Sequence, residues 1–292
     1  MSRSRAWAEL LRLPALFTVP GDALAGAAAL GTRPTGRTVL GIASSLCLYE
    51  AGMALNDWAD REEDAAERPH RPLPSGRIRP AAALGAAGAF TAAGLALAAG
   101  AGRPALTVAV PLAATVWSYD LGLKRTPAGP VAMAAARGLD LLLGAAATAG
   151  QVRPALPPAA LLGAHTLAVT TVSRQETGGG SPLAPLAALA TTGALTWRLH
   201  RRTADRPQAP ALAGPLPRAL AAGYALTTAR PYLHAALNPS APLTQRAVGA
   251  GIRATIPLQA ALTARSGAPA AALCTVALAP LARAFARRVS VT

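Results

Sequence analysis

The chain is poor in charge, in cysteine and in aromatic residues. Only 14% of its 292 residues are charged and 13 are acidic, whereas roughly 25% are charged in an ordinary soluble domain. The two cysteines, Cys47 and Cys274, lie in apolar stretches without metal-ligand spacing, so we interpret them as buried thiols rather than a disulfide or zinc site. Aromatics make up 4%, and the basic residues form no continuous patch. We therefore expect no nucleic acid partner, despite a net charge of +15.

Apolar residues dominate what remains. They make up 52% of the chain, and the mean hydropathy is +0.33. The charges separate ten apolar stretches, several close to the length of about 20 residues that crosses a hydrocarbon core. This pattern predicts an all-α integral membrane protein with a single domain over residues 1–292. The predicted stretches are 14–31, 37–56, 80–100, 104–122, 128–149, 155–173, 182–198, 211–236, 243–263 and 268–287, and one of the last four is expected to be re-entrant or interfacial.

The basic residues predict how the chain is oriented in the bilayer. Across the first six stretches, eleven Lys and Arg residues fall on one side and four on the other. Because positive residues accumulate on the cytoplasmic side, we expect a multi-pass protein of the cell membrane with a cytoplasmic N-terminus. The loops after stretches two, four and six would then lie together on that side. A polar loop is predicted at 198–210.

One charged segment, NDWADREEDAAERPHRPLPSGRI at 56–78, stands apart from the apolar chain. Six of the 13 acidic residues lie within eleven positions of it, and arginines follow. On a helix continuing from the second stretch, Asp57, Asp60 and Asp64 would share one face. Divalent cations would relieve their repulsion, since Mg²⁺ binds carboxylates together with substrate phosphates, and arginines are suited to phosphate oxygens. The spacing alone also allows a solvated loop whose charges pair among themselves.

Two motifs in this order resemble the UbiA superfamily of intramembrane prenyltransferases. The first is NDxxDxxxD followed by RPxRPxPSGR at 56–77, and the second is SYDLGLKRTPAGP at 118–130. The similarity extends over about residues 10–180. It implies a UbiA-like bundle of about nine transmembrane helices around a central cavity open to the lipid bilayer. It also implies Mg²⁺-assisted ionisation of an isoprenyl diphosphate, followed by attack of a small, lipophilic acceptor that the sequence does not identify.

The resemblance also implies roles for individual residues. Asn56, Asp57, Asp60 and Asp64 would hold Mg²⁺ and diphosphate, and Lys124 and Arg125 would neutralise the leaving group. Arg68 and Arg71 are candidate phosphate contacts, and Tyr119 is a candidate contact to diphosphate or acceptor.

The chain departs from the family pattern after the sixth stretch. A second aspartate-rich motif is normal there, but this chain reads SRQE at 173–176, with the single carboxylate Glu176 as its catalytic candidate and Arg174 as a substitute charge. The longer segment TVSRQETGGG at 171–180, together with TVPGDALAG at 18–26, RGLDLLLGAA at 137–146 and ARRVSVT at 286–292, is similar to an EboC-like branch of the superfamily.

Charged residues inside the apolar stretches are further candidates. Arg137 and Asp140 are three residues apart, close enough to pair on one helix face, and charges at membrane depth usually line a substrate path. Asp22 is a candidate for the same cavity, whereas His165 fits a core residue better than a base. Two alternatives to prenyl transfer remain open: a UbiA-type terpene cyclase, and a non-catalytic member that binds or moves a prenyl lipid.

Overall fold

The computed structural model describes residues 3–176, 180–201 and 215–289, and every regular element in those ranges is helical. Short 3₁₀ turns at Leu13–Thr18, Leu123–Arg125 and Arg153–Ala155 join some of the α-helices. The α-helices are α1 Arg3–Leu10, α2 Pro20–Ala29, α3 Gly36–Ala59, α4 Arg61–Glu67, α5 Pro80–Ala101, α6 Arg103–Leu121, α7 Gly129–Ala149, α8 Leu156–Ser173, α9 Leu183–His200, α10 Leu216–Leu237, α11 Ala241–Arg265 and α12 Pro269–Val289.

Each of the ten apolar stretches contains a long or short helix. The first is divided, because a 3₁₀ turn ends at Thr18 and α2 begins at Pro20, whose fixed φ suits a helix start. With 10 residues, α2 rises only about 15 Å. It is therefore too short to cross a hydrocarbon core by itself. The loop predicted at 198–210 lies outside the described residues from position 202 onward, as do the first four residues of the stretch at 211–236.

Four described helical segments are long and apolar enough to cross a membrane: Gly36–Ala59, Pro80–Ala101, Gly129–Ala149 and Arg153–Ser173. Shorter apolar helices lie at Leu16–Ala29 and Pro269–Ala282. Alanine contributes little hydropathy, and Arg230 and Arg253 interrupt α10 and α11. The fold is an all-α membrane bundle, whereas the count of nine spans and the orientation in the cell membrane stay predictions.

Glycines bring α2 and α7 into close contact. A side chain at Gly26 would collide with the Leu141 carbonyl, and one at Gly144 would collide with the backbone of Ala23. Small residues are what allow helix backbones to approach in membrane bundles. The close approach sets the single acid of α2, Asp22, beside Arg137 of α7.

Three loops meet at one end of the bundle. Lys124, after α6, lies 2.7 Å from Asp60 at the end of α3. Arg174, after α8, donates a hydrogen bond to the Thr126 carbonyl at 2.5 Å. The prediction that the loops after stretches two, four and six share one side is confirmed, and the polar residues they carry form the site described next.

Candidate functional site

The acidic segment is not one continuous helix. Helix α3 ends at Ala59, Asp60 has φ −94° and ψ 6°, and α4 begins at Arg61. The expectation that Asp57, Asp60 and Asp64 share a single helix face is therefore wrong. The break turns Asp60 toward the loop after α6, and the acids sort into two pairs.

Asp57 and Asp64 form the first pair, joined by Arg71. One guanidinium nitrogen of Arg71 lies 2.7 Å from Asp64 and 3.7 Å from Asp57. Both carboxylates are buried, with 4% and 2% of their residue surface exposed. Arg12 approaches Asp57 at 2.8 Å and Arg68 approaches Asp64 at 3.4 Å. Three cations therefore surround two buried carboxylates.

Asp60 and Asp120 form the second pair, joined by Lys124. The Lys124 ammonium lies 2.7 Å from Asp60 and 3.8 Å from Asp120. Arg125 is a second cation on Asp60, at 3.2 Å. Asn56 donates its amide hydrogen to Asp120 at 3.0 Å, which connects this pair to the end of α3.

A cavity of about 250 Å³ reaches the carboxylate pairs through Asp120 of the second pair and through Arg12, which binds Asp57 of the first. Arg12, Asn56, Tyr119 and Asp120 line its mouth, and the middle is mainly apolar, with residues such as Leu112. Ser45, Arg137 and Asp140 line its inner end. From Asn56 to Ser45 the cavity follows α3 for roughly 16 Å of helix rise. A polar head at the mouth can therefore coexist with an apolar tail inside.

The inner end of the cavity is a buried polar network. The Nε atom of Arg137 lies 3.0 Å from Asp22, and Nη2 donates to the Thr18 carbonyl at 3.0 Å. Gln259 donates to Asp22 at 2.6 Å. Asp140 accepts a hydrogen bond from Ser45 instead of pairing with Arg137, because the close approach of α2 supplies Asp22 as the partner. Asp22 itself lies behind Arg137 and does not line the cavity.

The loop after α8 contributes Arg174 and Glu176 to the edge of the site. Arg174 holds the Thr126 carbonyl and so fixes this loop against the one that carries Lys124. Burial raises the pKa of the Glu176 carboxyl, and the charge of Arg68 partly opposes that rise.

Residues 177–179 of the segment at 171–180, and 290–292 of the C-terminal segment, lie outside the described residues.

The donor groups of the site suit Mg²⁺. The available groups are carboxylate and amide oxygens, the hard ligands that Mg²⁺ prefers. In the described part of the chain, no group of three acidic, histidine or cysteine side chains converges on one point. The residues therefore fit a Mg²⁺ ion held by one or two carboxylates and completed by phosphate oxygens. A site built only from protein ligands does not fit, and the ligand set Asn56, Asp57, Asp60 and Asp64 stays a prediction.

Three residues outside the predicted set belong to the site, namely Arg12, Asp120 and Ser45. Asp120 had a local signal, since it follows Tyr119 and precedes Lys124 by one helical turn. Arg12 had none, because it contacts a residue 45 positions away. It is also the one non-glycine residue with positive φ, at 47°, in the described ranges. That conformation is costly for a side-chain-bearing residue.

His165 behaves as a core residue, as its lone position on a helix predicts. Its two ring nitrogens lie 3.1 Å from the Tyr224 hydroxyl and 3.1 Å from the Gly251 carbonyl. It does not line the cavity beside the carboxylate pairs, so it has no part in the site.

A family comparison agrees with this geometry. The model of the UbiA prenyltransferase family matches residues 15–177. The chain belongs to the UbiA prenyltransferase family. The matched range contains the carboxylate pairs, the bridging cations and all the residues named as lining the cavity except Arg12. The assignment to an EboC-like branch stays a prediction.

Curated relatives match part of the chain. Digeranylgeranylglyceryl phosphate synthase of Methanopyrus kandleri is 37% identical over 148 residues, 49% of this chain and 53% of the relative. The enzyme of the same name from Ignicoccus hospitalis is 32% identical over 152 residues, 50% of this chain and 48% of the relative. The chain thus spans about half the length of the curated relatives it matches.

Solved structures share the fold at low sequence identity. A UbiA homologue from Aeropyrum pernix K1 in its apo form has a TM-score of 0.63 at 19% identity, covering 85% of this chain and 96% of that one. A UbiA homologue from Archaeoglobus fulgidus bound to DMAPP and Mg²⁺ has a TM-score of 0.60 at 17% identity, covering 85% and 98%. These similarities establish a UbiA-like helical bundle.

Proposed function

We propose that the protein is a Mg²⁺-dependent intramembrane prenyltransferase that moves an isoprenyl group from its diphosphate to a small lipophilic acceptor. One observation carries the proposal. Two pairs of carboxylates, each bridged by a cation, lie at the mouth of a cavity with apolar walls. An isoprenyl diphosphate has the same division, with a charged head and an apolar tail. The names of the curated relatives and the DMAPP-bound homologue support the same substrate class.

The bridging cations allow the mouth of the cavity to bind a divalent metal ion and a diphosphate together. Arg71 lies between Asp57 and Asp64, and Lys124 lies between Asp60 and Asp120. A divalent ion bound by a carboxylate pair would free its bridging cation to contact phosphate oxygens. Arginine suits bidentate phosphate contacts, whereas lysine acts as a compact point charge. Metal and diphosphate should therefore bind better together than separately.

The chain's own residues would then stabilise departure of the diphosphate. Mg²⁺ supplies Lewis-acid stabilisation of the charge on the phosphate oxygens. Lys124 and Arg125 supply fixed positive charge on the side of α6, and Arg71, Arg68 and Arg12 supply it on the side of α4. Preorganised charge of this kind is usually the largest contribution to catalysis. The apolar middle of the cavity, lined by residues such as Leu112 and Met133, excludes water from the reactive carbon.

The acceptor enters the proposal only as a chemical class. Apolar walls favour a lipid-soluble molecule. Arg137 and Asp140 at the inner end offer polar contacts to whichever end of substrate or acceptor reaches that depth. Tyr119, at the mouth, offers its hydroxyl to the diphosphate or to the acceptor.

The test is release of inorganic pyrophosphate from dimethylallyl, geranyl, farnesyl and geranylgeranyl diphosphates by the purified protein with Mg²⁺. Release that requires an added lipophilic acceptor is the expected result. Release without an acceptor would instead support cyclisation or hydrolysis. Intact substrate binding without release under any condition would leave only the non-catalytic alternative.

Asp60→Asn tests the site assignment in the same assay. Because Asp60 faces Lys124 and Arg125, its neutral variant should lose release. Glu62→Gln is the matched control, since Glu62 lies on the neighbouring helix with an exposed side chain. Equal release by Asp60→Asn and wild type would refute the role of the segment.

A further inference from the structure

A second cavity, of about 490 Å³, opens at the end of the bundle away from the carboxylate pairs. It lies where α2, α9 and α11 end and where α8 begins. Its lining includes the guanidinium-bearing residues Arg198 and Arg265 and the apolar residues Leu161 and Leu262. The volume is within the range of about 300–1,000 Å³ that holds small ligands. Nothing in the proposed prenyl transfer uses this cavity.

Helix capping explains only part of this arrangement. Arg198 and Arg265 lie in the last turns of α9 and α11, where positive charge offsets the helix dipole. Arg265 donates a hydrogen bond from Nη1 to the Arg198 carbonyl at 2.8 Å, which fixes its guanidinium over the end of α9. The Arg198 guanidinium makes no comparable bond within the described ranges. Within the described residues, capping therefore accounts for only one hydrogen bond of this arginine pair.

Among the described residues, no carboxylate lines the cavity to balance the arginines. No Asp or Glu occurs in residues 180–201 or 215–289, and no lining residue is acidic. At the opposite end, Arg12, Arg68 and Arg71 each have a carboxylate within 4.0 Å. Two cations lining one cavity repel each other, so a bound anion would stabilise the arrangement.

The local sequence indicates which atoms would hold such an anion. Pro157 and Pro158 occupy the first turn of α8 and line the cavity, and proline has no backbone N–H. The start of α8 thus offers few backbone N–H groups to an anion. The two guanidinium groups would therefore be its main hydrogen-bond donors. Their planar donor forks match phosphate oxygens, while Leu161 and Leu262 suit a hydrocarbon chain.

We propose that this cavity binds a phosphate-bearing anion, with Arg198 and Arg265 holding the phosphate and the apolar walls taking the adjoining chain of an anionic lipid. A free phosphate shares the same chemistry at the arginines. The apolar walls would contribute to the binding of an anionic lipid but not to the binding of free phosphate. The proposal does not depend on prenyl transfer, because the cavity is separate from the carboxylate pairs.

The test is the melting temperature of the full chain in a neutral detergent, titrated with dioctanoyl phosphatidylglycerol, dioctanoyl phosphatidylcholine or inorganic phosphate. Phosphatidylglycerol should raise the melting temperature of the wild type. The double variant Arg198→Gln/Arg265→Gln should need at least about tenfold more of it, since charge-assisted hydrogen bonds are lost. A response to inorganic phosphate alone would identify the free ion as the source.

Arg103→Gln is the matched control. Arg103 is an exposed arginine at the start of α6, at the same end of the bundle, and it does not line the cavity. Its variant should respond to phosphatidylglycerol as the wild type does. Arg198→Gln alone guards against a folding defect, because it removes no described side-chain bond. An equal response to phosphatidylcholine, an equal loss in Arg103→Gln, or an unchanged response in the double variant would overturn the proposal.

Discussion

The two polar ends of the central cavity use the same residue types in different ways. At the mouth, Asp60 and Lys124 keep part of their side chains exposed, at 21% and 10%, and each carboxylate has more than one nearby side-chain partner. At the inner end, Asp22 is fully buried and fixed by Arg137 and Gln259. The Asp60–Lys124 pair lies close enough to solvent to exchange partners for a metal or a phosphate, whereas separating Asp22 from Arg137 would carry a large desolvation cost. The Asp60–Lys124 pair is therefore suited to ligand exchange, whereas the Asp22–Arg137 pair stabilises the packing of α2 on α7.

The largest expected effect concerns the buried pair. Arg137→Leu should lower the free energy of unfolding by about 3–5 kcal/mol, because it leaves the Asp22 carboxyl fully buried without its charged partner. Denaturant titration in mixed micelles measures it. Asp22→Asn/Arg137→Leu should recover much of the loss, and Arg103→Leu is an exposed control. If Arg137→Leu is as stable as the wild type, the two ends of the cavity do not differ in the way described.

Lys124→Gln should lower catalysis. It removes the charge that bridges Asp60 and Asp120, and the expected loss in pyrophosphate release is about 10²–10³-fold, typical of a lost electrostatic contact to the developing charge. Arg125→Gln should cost less, since 59% of that side chain is exposed. A larger loss in Arg125→Gln than in Lys124→Gln would reverse the assignment.

Asp120→Asn tests a residue that only the structure identified. It keeps the shape of the side chain but removes the charge that accepts from Asn56 and faces Lys124. Loss of a hydrogen bond to a charged group, worth about 1.5–3 kcal/mol, predicts release lowered by roughly one to two orders of magnitude. Release at the wild-type rate would remove Asp120 from the site.

The smallest effect is expected at Glu62. Its contact with Arg61 joins two side chains that are 86% and 36% exposed, and such surface pairs contribute less than about 1 kcal/mol. Glu62→Gln should therefore match the wild type in melting temperature and in pyrophosphate release. A clear loss in either would extend the site beyond the buried carboxylates.

The sequence predicted the site well where the signals were local. The length of the apolar stretches between charges indicated the helices, alternation of the loops placed Lys124 near Asp60, and the acidic spacing indicated a metal–phosphate site. It could not predict the break at Asp60, because neither Gly nor Pro occurs between Ala59 and Asp64.

Two ion pairs could not be predicted from the sequence because they depend on tertiary contacts. Asp22 reaches Arg137 only through the close packing of α2 on α7, and Arg12 reaches Asp57 across 45 positions. No local pattern in the chain carries that information.

The most direct test of the central claim is the coupling between divalent metal and diphosphate at the mouth. Mn²⁺ would stand in for Mg²⁺, with its binding followed by electron paramagnetic resonance in the presence and absence of inorganic pyrophosphate. If the bridging cations exchange as proposed, pyrophosphate should raise Mn²⁺ affinity at least about tenfold, with the reciprocal effect on pyrophosphate, and Asp60→Asn should abolish the coupling. Equal Mn²⁺ affinity with and without pyrophosphate, or unchanged coupling in Asp60→Asn, would contradict the account.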